Sequence, residues 1–198
     1  MAPTRYGEDV NSADQSVRWD GTVVITTPRL KLRTYRQDDL PAFAALNADP
    51  AVYAHLGGEP LTAQYSDEIA EWAQICHRDE GIGLLAVERI DDGVFLGMCG
   101  LHHQQSYPDD LEVGWRFASQ YWGQGYATEA AQGWLRYGFE VQSAPRVISI
   151  TEAENVRSLA VMKRVGMVFD HEAEVVDDGE TFAAVIYAIT AERWRDRG

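Results

Sequence analysis

The chain has 198 residues, of which 45% are hydrophobic and 24% are charged, a balance typical of a soluble globular protein with one sizeable core. Its 17 basic and 31 acidic residues give a net charge of −14, which repels nucleic-acid phosphates and favours cationic partners. No apolar run approaches the ~20 residues that span a bilayer, and the first residues lack the apolar core of a signal peptide. We therefore expect a cytoplasmic protein that binds neither nucleic acid nor membrane.

The two cysteines, Cys76 and Cys99, fall in different predicted elements and lack Cys-x-x-Cys spacing. A disulfide framework or a thiol-rich metal site is therefore not expected. His102 and His103 end a predicted strand, but no third ligand follows at a suitable spacing. The sequence predicts no metal site.

The first part of the chain predicts an extension, one strand and two helices. Residues 1–22 are polar and aperiodic, so we expect an N-terminal extension that is poorly structured or packs on a partner. Residues 23–198 are expected to form a single domain. Within it, residues 29–33 alternate polar and apolar side chains as a half-buried strand does. Helices are predicted up to residues 47–50 and over residues 62–77.

Three strand candidates follow in series, at residues 82–90, 94–101 and 111–117. Asp91-Asp92-Gly93 predicts a hairpin turn between the first two. Pro108-Asp109-Asp110 predicts the turn before the third.

The second half of the chain predicts a strand-helix unit and a final hairpin. Its elements are a helix at 127–138, a strand at 146–151, a helix at 155–165 that Gly166 ends, and strands at 168–176 and 181–189 around Asp177-Asp178-Gly179. The order βααβββαβαββ predicts an α/β (α+β mixed) fold. We expect a central mixed, largely antiparallel sheet of about seven strands, flanked by about four helices.

The most informative segment is residues 120–130, Gln-Tyr-Trp-Gly-Gln-Gly-Tyr-Ala-Thr-Glu-Ala, between a predicted strand and a predicted helix. Gly123 and Gly125 let the backbone pass close to a ligand, and the helix start offers unpaired N–H groups and a positive dipole end. Together they predict a pyrophosphate cradle built from backbone. A dinucleotide-binding Rossmann loop is the alternative: Thr128 stands where that fingerprint has Gly or Ala, although Glu152 could imitate its ribose-binding acid.

A second informative segment begins about thirty residues later with Asn155-x-x-Ser158 and continues to Gly166-Met167. Combined with Gln120-x-x-Gly123-x-Gly125, it resembles the GNAT N-acetyltransferase superfamily, in particular the branch similar to ribosomal-protein alanine N-acetyltransferases (RimJ/RimL-like). Trp-Gly-x-Gly-Tyr-Ala-Thr-Glu-Ala is typical of that branch. The close matches cover about a quarter of the chain, and the order of elements agrees from roughly residue 27 to residue 194.

The resemblance implies that the strands at 111–117 and 146–151 splay apart and that acetyl-CoA, as co-substrate, lies between them. A splayed pair leaves unpaired ladder groups that need partners. The acetyl oxygen is expected to bond a backbone N–H near Phe117 or Ala118. Asn155 and Ser158 would contact the coenzyme near the thioester, and the pyrophosphate would lie on Gln120, Gly123, Gln124, Gly125, Tyr126, Ala127 and Thr128.

Amine acylation by a thioester needs a neutral amine and a hydrogen-bonded thiolate leaving group, so the site requires a base and a proton donor. Ser158, one helical turn after Asn155 and on the same face, is the candidate proton donor. Met162 stands where some relatives carry a tyrosine, so that variant of the mechanism is not expected. Glu112 is the first candidate base, because some relatives carry a catalytic glutamate at this place. A surface pair with Arg116 is the alternative interpretation of Glu112.

Three further candidates for the base are Glu174, Asp177 and a water relay. No nucleophilic Cys or Ser is placed for an acyl-enzyme, so we expect acetyl transfer from acetyl-CoA to a primary amine by direct attack in a ternary complex. A catalytically silent acyl-CoA-binding sensor or interaction module is the alternative.

The acceptor is expected to be a cationic small-molecule amine or a protein N-terminal amine, in a pocket shaped by residues 53–58. A homodimer is compatible with the resemblance.

Overall fold

A computed structural model describes residues 17–54, 59–177 and 180–197, and it describes Asp177 and Glu180 by their backbone alone. The strands in these ranges are β1 (Val23–Thr26), β2 (Leu30–Arg33), β3 (Gly83–Arg89), β4 (Phe95–Gln104), β5 (Tyr107–Phe117), β6 (Arg146–Thr151), β7 (Val168–Asp177) and β8 (Glu180–Thr190). The helices are α1 (Leu40–Asn47), α2 (Pro50–Tyr53), α3 (Ala63–Glu80), α4 (Tyr126–Glu140), α5 (Val156–Arg164) and α6 (Ala191–Arg195), with 3-10 turns at Gln37–Asp39 and Ser119–Tyr121.

The strands form one sheet in the order β1-β2-β3-β4-β5-β6-β8-β7. Every neighbouring pair is antiparallel except β5 and β6, which run parallel. The predicted mixed, largely antiparallel sheet with a parallel pair is thereby confirmed. The described residues contain eight strands and six helices rather than about seven and four, because β1, α2 and α6 are too short to produce a periodic signal.

Helices cover both faces of the sheet. Gly138 of α4 lies against Leu101 of β4, where a Cβ atom would come within 3.1 Å of the leucine side chain. The ring centroids of Trp72 on α3 and of His102, the next residue of β4, are 6.3 Å apart. Since successive side chains of a strand point to opposite faces, α4 and α3 pack on opposite sides.

The prediction of a turn at Pro108-Asp109-Asp110 is wrong. These residues lie inside β5, and the chain reverses at residues 105–106. The pairing of β4 with β5 shifts register at His103 and Gln104, which moves the turn towards β4. Pro108 is tolerated because it lies in this register shift, between the pairs Gln104–Tyr107 and His103–Leu111, where a missing N–H removes no ladder bond.

Two further predictions depend on the backbone conformation of a glycine. Gly93, between β3 and β4, has a φ of 72°, and Gly166, after α5, has a φ of 88°, so both occupy the left-handed region that favours glycine. The predicted hairpin turn between β3 and β4 and the predicted helix end at Gly166 are thereby confirmed. Of the third predicted turn, Asp178 and Gly179 lie outside the described residues.

The predicted N-terminal extension is described only from residue 17 onward. In that part Trp19 packs against the core, and Asp20 forms an isolated bridge with Arg36 and accepts a hydrogen bond from Thr34 Oγ1 at 3.1 Å. The end of the extension therefore contacts the domain. None of the helices in the described ranges combines the length and the apolar character needed to cross a membrane.

Candidate active site

The parallel strands β5 and β6 pair only over two residues, in the middle of β5 and near the start of β6. Leu111 pairs with Val147 and Glu112 with Ile148, although β5 continues to Phe117 and β6 to Thr151. Beyond these pairs each strand bonds only its outer neighbour, β4 or β8. The backbone groups that face the split therefore lack ladder partners and can bond a ligand.

Glu112 lies at the closed end of this split and is only 9% exposed. Its Oε1 accepts a hydrogen bond from the backbone N–H of Ile150 at 3.3 Å, and its Oε2 lies 3.6 Å from His102 Nε2. Arg116 Nη1 donates to Asn47 Oδ1 at 2.7 Å. The two residues of the alternative surface pair thus have partners elsewhere.

The backbone N–H groups at the end of β5 face opposite sides. Ala118 N–H donates to Leu96 O at 3.0 Å, so it belongs to the ladder with β4. Because these groups alternate along a strand, the N–H groups of Val113, Trp115 and Phe117 face β6. The parallel pairing of Glu112 with Ile148 engages Val113 N–H, so those of Trp115 and Phe117 face the open split. Of the two predicted donors to the acetyl oxygen, Ala118 is thereby engaged in the sheet, which leaves Phe117.

Phe117 and Glu112 are five residues apart, ~16 Å along an extended strand. One reacting amine cannot lie beside both. Trp115 N–H is therefore closer than Phe117 N–H to the Glu112 carboxylate.

The glycine loop opens at the other end of the split. Gly123 has a φ of 76° and Gly125 a φ of 83°, which L side chains rarely adopt. Gly125 caps α4 without a side-chain bond, and the first intrahelical bond runs from Glu129 N–H to Gly125 O. The N–H groups of Tyr126, Ala127 and Thr128 precede that bond and are available to a ligand.

The loop also has the space that a bound pyrophosphate requires. A Cβ atom added to Gly123 would meet nothing within 4 Å, and both Gly123 and Gly125 are exposed. Gln120 and Gln124 are exposed beside them, and Gln124 Nε2 donates to Gln120 O at 3.4 Å. The predicted pyrophosphate residues thus lie together in one open loop, and they fit that group through N–H donors rather than through basic side chains.

A contact between the β1–β2 connection and α4 holds this loop. Glu129 Oε1 accepts hydrogen bonds from Thr27 Oγ1 at 2.6 Å and from Arg29 N–H at 2.8 Å, and Arg29 Nε donates to Glu129 Oε2 at 2.6 Å. Burial by itself would raise the pKa of Glu129, but these hydrogen bonds outweigh it and hold the pKa below its ordinary value. We call Thr27, Arg29 and Glu129 the loop latch.

The latch also orients the loop backbone. Arg29 Nη1 donates to Gln124 O at 3.0 Å. In a trans peptide the carbonyl and the following N–H point in opposite directions, so this bond turns Gly125 N–H away from Arg29. Sequence reasoning missed the latch, since no local pattern connects Glu129 with a residue about one hundred positions earlier.

Asn155 and Ser158 share the first turn of α5. Asn155 Oδ1 accepts a hydrogen bond from Ser158 N–H at 3.1 Å, which caps the helix. The Ser158 side chain is half-buried, whereas Met162, one turn later, is fully buried in the core. The structure therefore brings the two predicted residues together and leaves the Asn155 amide nitrogen available to a ligand.

The remaining sequence candidates are less well placed or lie beyond the description. Glu174 is exposed on β7, at the edge of the sheet. The side chain of Asp177 and residues 55–58 of the predicted acceptor pocket lie outside the described residues. A cavity of about 270 Å³ near Leu111 and Arg146 opens at the opposite end of β5 and β6 from the glycine loop and is separate from the site.

Comparison with known proteins places this site in a family. A family model described as an Acetyltransferase (GNAT) domain matches residues 29–168. The chain is 32% identical over 145 residues to YkkB, an uncharacterized protein of Bacillus subtilis. The match covers 72% of this chain and 84% of that protein. It is 29% identical over 185 residues to FsC-acetyl coenzyme A-N(2)-transacetylase of Aspergillus fumigatus, over 85% of this chain and 76% of that protein.

Solved structures agree with the sequence matches. The crystal structure of a GNAT-family acetyltransferase from Bacillus anthracis superposes with a TM-score of 0.72 at 26% identity, over 85% of this chain and 98% of that one. The family match extends from the latch residue Arg29 past the glycine loop and the first turn of α5. The chain therefore belongs to the GNAT family of acetyltransferases and is an acetyl-CoA-dependent N-acyltransferase.

Proposed function

We propose that this protein transfers the acetyl group of acetyl-CoA to a primary amine by direct attack in a ternary complex. The observation that carries this proposal is the split between β5 and β6, which is open at the glycine loop and closed at Glu112. One wall offers unpaired strand N–H groups, and the open end offers the helix N–H groups. This arrangement suits a long, bent ligand with phosphates at one end and a reactive thioester at the other.

The residues divide between binding and chemistry along the split. Gly123 to Thr128 would hold the pyrophosphate with backbone N–H groups, with Gln120 beside them. Phe117 N–H would bond a pantetheine amide in the manner of an added strand. Trp115 N–H, the unpaired strand N–H nearer to Glu112, would donate to the acetyl oxygen as negative charge develops there.

The proposed reaction balances with two protein groups. The amine nitrogen forms a bond to the acetyl carbon, and the carbon–sulfur bond breaks. Glu112, directly or through a water, takes the proton that the amine loses, and the Ser158 hydroxyl donates a hydrogen bond or proton to the leaving sulfur. Glu174 and Asp177 are the other candidate bases, and the amide of Asn155 would position the thioester end.

The acceptor that we propose is a cationic small-molecule amine or a protein N-terminal amine. The net charge of −14 favours the approach of cations, and the loop sequence resembles the RimJ/RimL-like branch. The Aspergillus fumigatus relative is named for transfer from acetyl coenzyme A to an N(2) position, which supports a nitrogen acceptor. The same proposal places the protein in the cytoplasm, where acetyl-CoA is available.

The first experiment is thermal unfolding with acetyl-CoA, with NAD and without ligand. A ligand held at 100 times its dissociation constant adds ~2.7 kcal/mol, so acetyl-CoA should raise the midpoint by several degrees and NAD should not. Release of the CoA thiol in a screen of amines then distinguishes an enzyme from a silent sensor, because only turnover liberates the thiol. No stabilisation by acetyl-CoA would overturn the coenzyme assignment and every role built on it.

A further inference from the structure

Three arginines from three different elements stack on aromatic side chains of the glycine loop segment. The Cζ atom of Arg29 lies 4.7 Å from the centroid of the Tyr126 ring, and that of Arg89 lies 5.5 Å from the Tyr121 ring. Arg157, in the first turn of α5, lies 4.5 Å from the Trp122 ring. A chain with a net charge of −14 thus concentrates positive charge around the loop where a phosphorylated ligand is expected.

Arg157 differs from the other two in its charge balance. Arg29 forms an ion pair with Glu129 and Arg89 with Asp92, each at 2.6 Å. No carboxylate in the part of the chain that the structure describes forms an ion pair with Arg157. Its positive charge is therefore the one of the three that is still available to an anion.

The Trp122 ring on which Arg157 stacks is held in place by a hydrogen bond to the backbone. Trp122 Nε1 donates to Phe117 O at 2.7 Å, which ties the indole to the end of β5. A guanidinium that stacks through its face keeps its N–H edge free for oxyanions. The Trp122 ring also restricts the Arg157 side chain before a ligand binds. Less conformational entropy is then lost on binding.

The stack of Arg157 on Trp122 joins the two walls of the split. Trp122 follows β5, and Arg157 follows β6, so the parallel direction of these strands brings both to the same open end. A phosphate bound to the N–H groups of the glycine loop would lie within reach of the Arg157 side chain.

We propose that Arg157, held on Trp122, binds a phosphate group of the coenzyme and adds positive charge to a cradle otherwise built from neutral backbone N–H groups. The inference rests on the proposed function, because it takes the coenzyme to lie in the split. The ligand chemistry is a phosphate ester or pyrophosphate on a pantetheine thioester. Pantetheine alone, without phosphate, is not a ligand of Arg157.

The test compares the affinity for CoA of the unmodified protein, Arg157→Gln and Arg157→Lys by calorimetric titration. Arg164→Gln is the matched control, since Arg164 is exposed on the same helix two turns away and its side chain bonds none of the described residues. We expect Arg157→Gln to weaken CoA binding about 10- to 100-fold, as for the loss of one charge-assisted contact. Arg157→Lys should recover only part of the affinity, because an ammonium lacks the planar fork.

Two further ligands locate the contact. The affinity for pantetheine should be the same in Arg157→Gln and in the unmodified protein. A loss for Arg157→Gln that persists with 3′-dephospho-CoA assigns the contact to the pyrophosphate, and a loss that disappears assigns it to the 3′-phosphate; both results support the inference.

Equal CoA affinity in Arg157→Gln and the unmodified protein would overturn the inference and leave the proposed function standing. An equal loss for CoA and pantetheine would also overturn it, since the substitution would then act on the shape of the split. If the unmodified protein does not bind CoA, the proposed function fails together with the inference. The unfolding midpoint of each variant without ligand shows that the comparison is between folded proteins.

Discussion

Glu112 occupies the residue position where the parallel pairing of β5 and β6 stops, and its carboxylate has a structural partner as well as a proposed chemical role. Oε1 accepts from Ile150 N–H, and Oε2 faces His102 Nε2. His102 Nδ1 lies 3.1 Å from the carbonyl oxygen of His103. Nε2 is therefore the ring atom directed at the Glu112 carboxylate.

The substitution Glu112→Gln separates these two roles. Glutamine keeps a carbonyl oxygen that can accept from Ile150 N–H, so we expect an unfolding midpoint close to that of the unmodified protein. It cannot accept the proton of the amine, so kcat/KM should fall about 100- to 10,000-fold. The measurement is CoA-thiol release with an amine substrate, over a range of pH.

The control for Glu112 is Glu174→Gln, which removes the exposed candidate on β7. Full activity in Glu112→Gln together with a large loss in Glu174→Gln would move the base to β7. Full activity in both variants would favour Asp177 or a water relay.

Substitutions of Asn155 and Ser158 should distinguish an effect on stability from an effect on catalysis. Asn155→Ala removes the side-chain cap of α5 and should lower the free energy of unfolding by about 1 kcal/mol. Ser158→Ala keeps the backbone N–H that donates to the cap, so its stability should change little while kcat falls. Urea unfolding and steady-state kinetics on both variants check this contrast. Equal destabilisation with unchanged kcat would assign Ser158 a structural role alone.

Among the elements, the start of α4 depends on residues far away in the sequence. The loop latch joins the β1–β2 connection to the first turn of α4 through a carboxylate that is 15% exposed. The pKa of Glu129 is lower in the folded protein than the ordinary value of 4.5. The ionised latch therefore stabilises the fold fully above that value, and the stabilisation is lost as the pH falls through the lowered folded-state pKa.

The substitution Glu129→Gln should remove this part of the acid sensitivity. We expect the variant to be less stable than the unmodified protein near neutral pH, with the difference shrinking as the pH falls towards ~3. Urea unfolding at a series of pH values measures this difference in the free energy of unfolding. Glu172→Gln, at an exposed glutamate of β7, is the control. A stability difference that does not change with pH would show that the latch acts through packing and neutral hydrogen bonds.

Elements with a strong local signal agree with their prediction, and short or interrupted ones do not. The helix predicted from residue 62 forms as α3, with Thr62 Oγ1 capping Tyr65 N–H at 3.1 Å. Gly81, in the left-handed region at φ 75°, follows its last turn. The turn near Pro108 was misassigned because proline and aspartate also occur at strand ends, where only the pairing with β4 decides the register.

On the scale of the whole molecule, charge is organised by tertiary contacts rather than by composition. Arg33 is 1% exposed and forms two hydrogen bonds to Asp39, at 2.7 and 2.9 Å, and one to Glu88 at 2.8 Å. Burial would lower the pKa of Arg33, but these carboxylates reverse the effect and raise it. The network joins β2, β3 and the 3-10 turn before α1 inside a protein whose overall charge is strongly negative.

The packing of the sheet divides the apolar residues into two clusters. The larger lies between the sheet and its helices, and the smaller contains Ile148, Val175 and Ile186 with Tyr107 packed against it. Gln104 Nε2, at the end of β4, donates to Val176 O on β7 at 2.8 Å. The end of the β4–β5 hairpin thus reaches the last hairpin, a contact that no local pattern in the sequence indicates.

The sequence by itself determined the mixed sheet, the order of most elements along the chain, the glycine loop and the first turn of α5, because each depends on periodicity, glycine positions or spacing within a few residues. Only the tertiary structure decided which strand N–H groups face the split, that Glu112 closes it, and that Arg29 and Arg157 reach the loop. These features arise from pairs separated by tens to a hundred residues, such as Arg29 with Glu129 and Trp122 with Arg157. Long-range contacts form when elements pack, and packing leaves no short-range pattern from which they can be predicted.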